Sequence, residues 1–497
     1  MKNLSILILL YLSIQIFVCK NETFDKNQRI LRELAESQDT CLYVLLDAGS
    51  SSTKVRVYKS VCRRTSQIPQ LEALVPKDEN GKDKYDDKIK AADGKNALTA
   101  VDLDETPYTN YFSLAFKIVN DIKTFYSLNT KPFLFLRATA GLRQLGTEQE
   151  REQILDLVRK VFRKSNYFHF LDDSWVKIIT GEEEGLFLWL SVNYAYQKIK
   201  HQNTQQFDAS DSIAVIDIGG ASAQTAFYST HNNKLLDLPE KTRIQIYSNT
   251  VLGYGNDRII ASVLDKADFA SCFQKSSENI TKNIKNSDKT DVNVAGNYNF
   301  VKCTNIMLEL LNITGCTYQD DGSVKDCSGS SKLKKLTGMK NIVGASSVYF
   351  AKDELYTALN IKGDKFKVSE FRDRAKQYCS LDFTAQNLVN NKFAFTSCIQ
   401  MMWVSTLLID GLGLLNDEVI ALKRYEAYNI DWSIGSLIYD INTMQCDYLD
   451  MNECTDKISI KDTNNASEAE QIKDFTNSLI INSFFSLAIL LISNLLI

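Results

Sequence analysis

Asp47-Ala48-Gly49-Ser50-Ser51-Ser52-Thr53 separates two strand-like runs, and Asp217-Ile218-Gly219-Gly220-Ala221-Ser222-Ala223-Gln224 does the same further along the chain. Residues 41–47 form an apolar run ending at the aspartate. After the turn, Val55 and Val57 alternate with Lys54, Arg56 and Tyr58. A buried strand, a Gly/Ser turn and an alternating strand read as a hairpin. Cys41 and Cys62 fall at its open end, at a separation that suits a cross-strand disulfide. The second copy repeats the spacing: Gly49, Ser52 and Tyr58 follow Asp47 at the same offsets as Gly219, Ser222 and Tyr228 follow Asp217. One unit used twice predicts two similar domains facing each other.

Such turns suit phosphate chemistry. Glycine lets backbone N–H groups approach an anion closely, and serine hydroxyls add donors. An aspartate at the strand end suits a hard cation or its water shell. A plain β-turn explains either loop alone, but less readily two in matched contexts. Two further stretches sit at strand ends. Arg137-Ala138-Thr139-Ala140-Gly141-Leu142-Arg143 follows a buried run at 132–136 and offers a hydroxyl and cations. Thr180-Gly181-Glu182-Glu183-Glu184-Gly185 opens a helical pattern over 182–199. Acidic residues favour a helix N-terminus through its dipole. One of the three would instead serve as a proton acceptor for water, and the residues alone do not say which. Helical patterns are also expected at 109–125 and 148–162, a short strand at 176–179, and an exposed polar insertion at 276–299.

The chain has 497 residues, 44% of them hydrophobic and 24% charged, enough for two to four domains. A net charge of −4 gives no electrostatic reason to bind nucleic acid. Residues 1–19 read as a signal peptide, with an uncleaved anchor as the alternative. Residues 479–497 form an apolar tail after a polar stretch at 461–478, with no basic residue beyond it. That is the pattern of a lipid-anchor signal, a transmembrane helix being the alternative. Without Cys19, ten cysteines remain to pair in an oxidising lumen, and three histidines are too few for a Cys/His metal site. Sequons at Asn21, Asn279, Asn312 and Asn465 agree with the secretory pathway, the extracellular face of the plasma membrane or an organelle lumen.

Taken in order, residues 47–53 (DAGSSST), 138–143 (ATAGLR), 180–194 (TGEEEGLFLWLSVNY), 217–224 (DIGGASAQ), 252–255 (LGYG) and 431–435 (DWSIG) resemble the apyrase, or ecto-nucleoside triphosphate diphosphohydrolase, family. The resemblance covers about 41–442. It implies an α/β protein of two ribonuclease-H-like, actin-like lobes of mixed sheet flanked by helices, with the site in the cleft between them. It places the lobes at 40–180 plus 424–460 and at 181–423. It implies metal-dependent hydrolysis of nucleoside tri- and diphosphates, with Ca²⁺ or Mg²⁺. By the same resemblance Glu184 is the base, and Asp47 and Asp217 hold the metal mostly through water. Gly49, Ser50, Ser51, Ser52, Thr53, Thr139, Gly219, Gly220, Ala221, Ser222 and Gln224 bind phosphate, and Tyr349 stacks on the nucleobase. Cys316–Cys327 and Cys379–Cys398 resemble family disulfides; Cys272–Cys303 and Cys446–Cys454 follow by elimination. Ser52, Ala223 and Arg137 depart from the usual residues, which leaves the triphosphate-to-diphosphate preference open. A cell-surface nucleotide-binding or adhesion protein without turnover, and a kinase of the same fold, are the competing readings. Oligomeric state and base preference stay open.

Overall fold

The computed structural model describes residues 29, 40–62, 68–85, 87–91, 97–199, 207–239, 242–315, 317–318, 324–325, 328–391, 393–448 and 458–463. The expected signal peptide, the C-terminal tail, Cys316–Cys327 and Cys446–Cys454 lie outside these residues or involve residues outside them. Among the described residues no helix is long and apolar enough to cross a membrane.

The first hairpin forms as its pattern predicts. β1 (Cys41–Ala48) pairs antiparallel with β2 (Thr53–Ser60), with Asp47 opposite Lys54, Leu45 opposite Arg56 and Tyr43 opposite Tyr58. β3 (Glu72–Ala73) continues antiparallel beyond β2, while β4 (Phe133–Ala138) and β5 (Val176–Ile178) add in parallel on the other side, giving the order β3-β2-β1-β4-β5. The second sheet repeats that core. β6 (Ala214–Ile218) and β7 (Ser222–Tyr228) make the hairpin with Asp217 opposite Gln224. β9 (Thr242–Leu252) lies antiparallel beyond β7, and Ile342–Ser346 and Glu418–Ala421 are parallel on the β6 side. β8 (Lys234–Leu238), Ser459–Asp462 and Lys365–Lys367 extend the edges. Two copies of one sheet pattern are the two ribonuclease-H-like lobes of an actin-like fold.

The alternation of each strand sorts the core into three layers. Leu42, Val44, Leu46, Val55 and Val57 face helices Glu105–Phe125 and Glu148–Lys164. Tyr43, Leu45 and Tyr58 face inward, where helices Gly181–Ala195 and Ser433–Tyr448 lie between the sheets. The outer face of the second sheet is covered by Ser347–Ala358, Val368–Cys379 and Ala394–Thr406, among others. Helix Gly181–Ala195 packs on β7 and β9 because Gly181 and Gly185 share one face. A Cβ on Gly181 would come within 2.3 Å of the Thr250 side chain, and one on Gly185 within 2.7 Å of Ser248 Oγ.

Two details differ from expectation. Ser459–Asp462 pairs antiparallel with β8, so the chain rejoins the second sheet rather than ending in the first lobe at residue 460. The stretch at 276–299 holds a hairpin (Thr281–Lys285 with Asp291–Ala295), mostly exposed but pinned by buried Val294. Arg137 is 1% exposed and turned away from the cleft. It forms an ion pair with Asp440 of the C-terminal helix and donates to the Trp175 carbonyl at 2.6 Å. It therefore fastens that helix to the first sheet, which gives the large cation at this position a packing role. Disulfides join Cys41–Cys62, Cys272–Cys303 and Cys379–Cys398.

Candidate active site

Both Asp-x-Gly turns open into one cleft. Its lining includes Asp47, Gly49, Ser50, Ser51, Ser52, Lys54 and Thr139 from the first lobe. Across from them stand Glu184, Asp217, Gly219, Gly220, Ala221, Ser222 and Ser346, with Asp431 and Trp432 at the C-terminal crossover. The turns share one construction: Gly49 N–H donates to the Ser52 carbonyl at 3.0 Å and Gly219 N–H to the Ser222 carbonyl at 3.0 Å. Helix Asn256–Leu264 docks behind the second turn through Gly255, where a Cβ would lie 2.3 Å from the Ala221 nitrogen. Asn256 and Asp257 N–H groups donate to the Gly219 and Gly220 carbonyls at 2.8 and 2.9 Å. With those carbonyls taken from behind, the loop is held in place at the cleft wall.

The three glutamates of the 182–184 run separate by role. Thr180 caps the helix and Glu183 closes a capping box, its carboxylate accepting from Thr180 N–H at 2.7 Å. Glu182 is half-buried, and its carbonyl accepts from Ser248 Oγ at 2.6 Å. Glu184 alone turns inward, 8% exposed. Arg143 Nη2 donates to its Oε2 at 2.8 Å and Gln224 Nε2 reaches the same atom at 3.3 Å. Burial pushes the Glu184 carboxyl up to about 7, with Asp217 and Asp47 adding to the push and Arg143 opposing it. A carboxylate poised near neutrality suits proton transfer. If it acts in its ionised form, kcat/KM is expected to fall with a slope of about one as pH drops below about 7 and to level off above it. A pH–rate profile flat from 5 to 8 would exclude this carboxyl as the titrating base.

The two aspartates differ in their partners. Asp47 accepts from Lys54 Nζ at 3.0 Å. Asp217 is 5% exposed and its Oδ1 is buried with no partner. Burial raises its pKa, while the Ser346 hydroxyl, donating to it, lowers it. Ser346 holds that hydroxyl in place from a backbone of φ 51°, ψ −115°, a conformation that L-residues rarely adopt and that clusters at working sites. An orphaned carboxylate oxygen on Asp217, with Asp47 lining the same cleft from the other lobe, fits a hard cation or its water shell. Among the described residues no three His, Cys, Asp or Glu side chains converge closely enough to hold an ion alone. Asp431, by contrast, is committed. Burial would raise it, but Arg56 and Lys54 outweigh this and hold it down at about 2; Arg56 Nη2 donates to it at 2.8 Å and it caps Ser433 N–H at 3.1 Å.

Three expected residues stand otherwise. Thr53 faces the first-lobe core, fully buried, where its Oγ1 accepts from the Tyr111 hydroxyl at 2.8 Å. Strand alternation carries its side chain away from the cleft that Lys54 enters, so its hydroxyl serves the core rather than the cleft. Tyr349 does not line the cleft; its ring lies beside Phe350 and under the Lys352 ammonium. Gln224 lies behind the wall rather than in it, and acts on Glu184 and on Ser222 Oγ at 2.7 Å. Arg143 and Asp431 lie in stretches the sequence points to, but as a cation for phosphate and as part of a motif rather than as partners of Glu184 and Arg56; Lys54 and Ser346 are not singled out there.

A family description, GDA1/CD39 (nucleoside phosphatase), matches residues 33–461. The chain belongs to the GDA1/CD39 family. Among curated relatives of this GDA1/CD39 chain, the nucleoside-diphosphatase mig-23 of Caenorhabditis elegans is 22% identical over 88% of the chain and 82% of the relative. Probable apyrase 3 of Arabidopsis thaliana is 28% identical over 63% and 67%. Among solved structures, a nucleoside triphosphate hydrolase from Neospora caninum superposes with TM-score 0.54 at 13% identity, covering 88% of this chain and 98% of that one. That likeness bears on the fold: two lobes about a cleft.

Proposed function

We propose that this GDA1/CD39 protein hydrolyses the terminal phosphate of nucleoside tri- and diphosphates with a divalent cation, Ca²⁺ or Mg²⁺. The observation that carries the reading is Glu184, buried and poised at about 7 between two phosphate-type turns. The Gly49–Ser52 and Gly219–Ser222 turns grip the phosphates through N–H and hydroxyl donors. Asp47 and Asp217 would hold the hydrated cation, which when bound neutralises phosphate charge. Gln224 Nε2 steadies the Glu184 carboxylate from behind, and a water on the cleft side of that carboxylate is the nucleophile. Its oxygen forms a bond to the terminal phosphorus as its proton passes to Glu184. The bond from that phosphorus to the bridging oxygen breaks, and the shortened nucleotide leaves with the electron pair. Arg143 stays on Glu184 and stabilises it ionised before the transfer. Tyr349 lies outside the phosphate cleft, so a role in base stacking requires the nucleoside to extend beyond that cleft and Lys352 to leave the ring face; exposed Asn279 and Asn312 are proposed glycan sites of a secretory-pathway protein anchored by its C-terminal tail.

Phosphate release from ATP, ADP, UDP and AMP with Ca²⁺ or Mg²⁺, then with EDTA, tests this. Expected is cation-dependent cleavage of the tri- and diphosphates and none of AMP. No release from folded, disulfide-complete protein would replace hydrolysis by nucleotide binding, and ADP formed only with an added sugar acceptor would replace it by a kinase.

A further inference from the structure

Among the described residues, those lining the cleft carry four carboxylates, Asp47, Glu184, Asp217 and Asp431, and a single cation, Lys54. A polyphosphate brings several more negative charges to the same space, so the placement of that one ammonium matters. Lys54 stands directly across the β1–β2 ladder from Asp47, the position that Gln224 holds relative to Asp217 in the other lobe. Gln224 is enclosed by Glu184, Ser222 and Thr250, and neutral. The Lys54 side chain is instead 33% exposed, and its ammonium makes a 3.0 Å ion pair with one oxygen of Asp47. Among the described residues its one ion pair is with Asp47; Asp217 feels its charge from across the cleft but is not in contact with it. Asp431, the second carboxylate acting on it, is taken by Arg56 and by its own helix cap, and Arg56 repels it.

We propose that Lys54 is an exchangeable counter-ion. It satisfies Asp47 when the cleft is empty, gives Asp47 up to the arriving divalent cation, and swings its free ammonium onto the phosphate chain held by the Gly49–Ser52 turn. The inference rests on the nucleotide-hydrolase reading and adds to it a residue that couples cation loading to phosphate grip. Lysine suits such an exchange because it is a point charge on a flexible stem, with no fork locking it to a carboxylate as arginine has. The exchange makes opposite demands on two substitutions. Lys54→Met removes the competitor for Asp47, so the nucleotide-free protein binds a cation more tightly, by about fivefold for a partly exposed ion pair. The same variant loses the phosphate contact, so KM for nucleotide rises and kcat falls. Lys54→Arg grips Asp47 in a bidentate way, so the nucleotide-free protein binds a cation more weakly than wild type while keeping a charge for phosphate.

The experiment is titration of nucleotide-free, full-length protein with Tb³⁺ and Mn²⁺, read by lanthanide luminescence and by the free Mn²⁺ EPR signal, beside steady-state kinetics of all three proteins. Tighter binding in Lys54→Met together with weaker binding in Lys54→Arg, and a raised KM in the former only, supports the exchange. Equal cation affinities in the three proteins, or a shift of both variants in one direction, overturns it. Failure of wild type to hydrolyse any nucleotide sinks the hydrolase reading itself. The cation titrations are read without nucleotide and judge the Lys54–Asp47 competition separately.

Discussion

Glu184→Gln is expected to reduce kcat by two to four orders of magnitude while nucleotide affinity and fold survive. The range is that of a lost general base. Glutamine keeps the shape of the side chain and an acceptor oxygen for Arg143, so the turns on either side of the cleft have no reason to move. The substitution has a second consequence, in stability. The carboxyl titrates near 7 in the folded protein, against an ordinary value of 4.5. Between those two values the folded state holds a proton that the unfolded chain has released. Stability therefore falls as pH rises through this interval and levels off above about 7, at a total cost on the order of 3 kcal/mol. Glutamine carries no such charge. Its variant should thus be more stable than wild type at pH 8, and the difference should shrink toward pH 4.5. Calorimetric melts at the two pH values, beside phosphate-release rates, test both halves. Full activity in the variant removes Glu184 as the base; a stability gap that widens toward acid contradicts the burial that poises it.

The two-lobe architecture was legible because it rests on local chemistry. An apolar strand, a Gly/Ser turn and an alternating strand need no long-range information, and the spacing from Asp47 recurs from Asp217. Which glutamate faces the cleft was legible through the family resemblance, which points to Glu184, and not from the three residues themselves. All three favour a helix N-terminus equally, and only the fixing of Thr180 as the cap makes Glu183 its partner and turns Glu184 inward. Thr53 was misread for the opposite reason. It belongs to the motif as a string, yet the strand has already begun there, and alternation sends it to Tyr111 in the core while Lys54 takes the cleft. Arg137 shows the limit most clearly. Beside Thr139 it reads as charge for a phosphate, but its partner Asp440 comes from the far end of the chain, and no short window of sequence pairs the two. Ser346 carries no sequence signal at all, since its role lies in a strained backbone that only the assembled sheet imposes.

Gly435→Ala is expected to lower both stability and turnover, although the residue touches no substrate. Gly435 lies in the first turn of helix Ser433–Tyr448, where that helix crosses Gly181–Ala195 between the two sheets. A Cβ there would lie 2.0 Å from the Phe187 carbonyl oxygen, and its N–H, an orphan donor of the first turn, is taken by Ser191 Oγ at 2.7 Å. The obstacle is backbone, so no side-chain rotation relieves it and one helix must shift. Overpacking of this kind costs about 1–3 kcal/mol and occasionally more. The helix that yields carries Glu184 one turn before Phe187, with Arg143 and Gln224 aimed at its carboxylate. A displacement near 1 Å at that carboxylate is worth about a hundredfold in rate. The loss of kcat should therefore exceed what the fall in melting temperature implies and persist well below that temperature, where the protein is fully folded. Gly146→Ala is the comparison: its new Cβ would displace the Glu150 carboxylate from its capping box on Thr147, which lowers stability far from the cleft and should leave kcat unchanged. If Gly435→Ala melts and turns over like wild type, the two inter-sheet helices are not in the close contact that sets Glu184 in the cleft. A variant that melts early but keeps its kcat would show that the glycine serves packing alone.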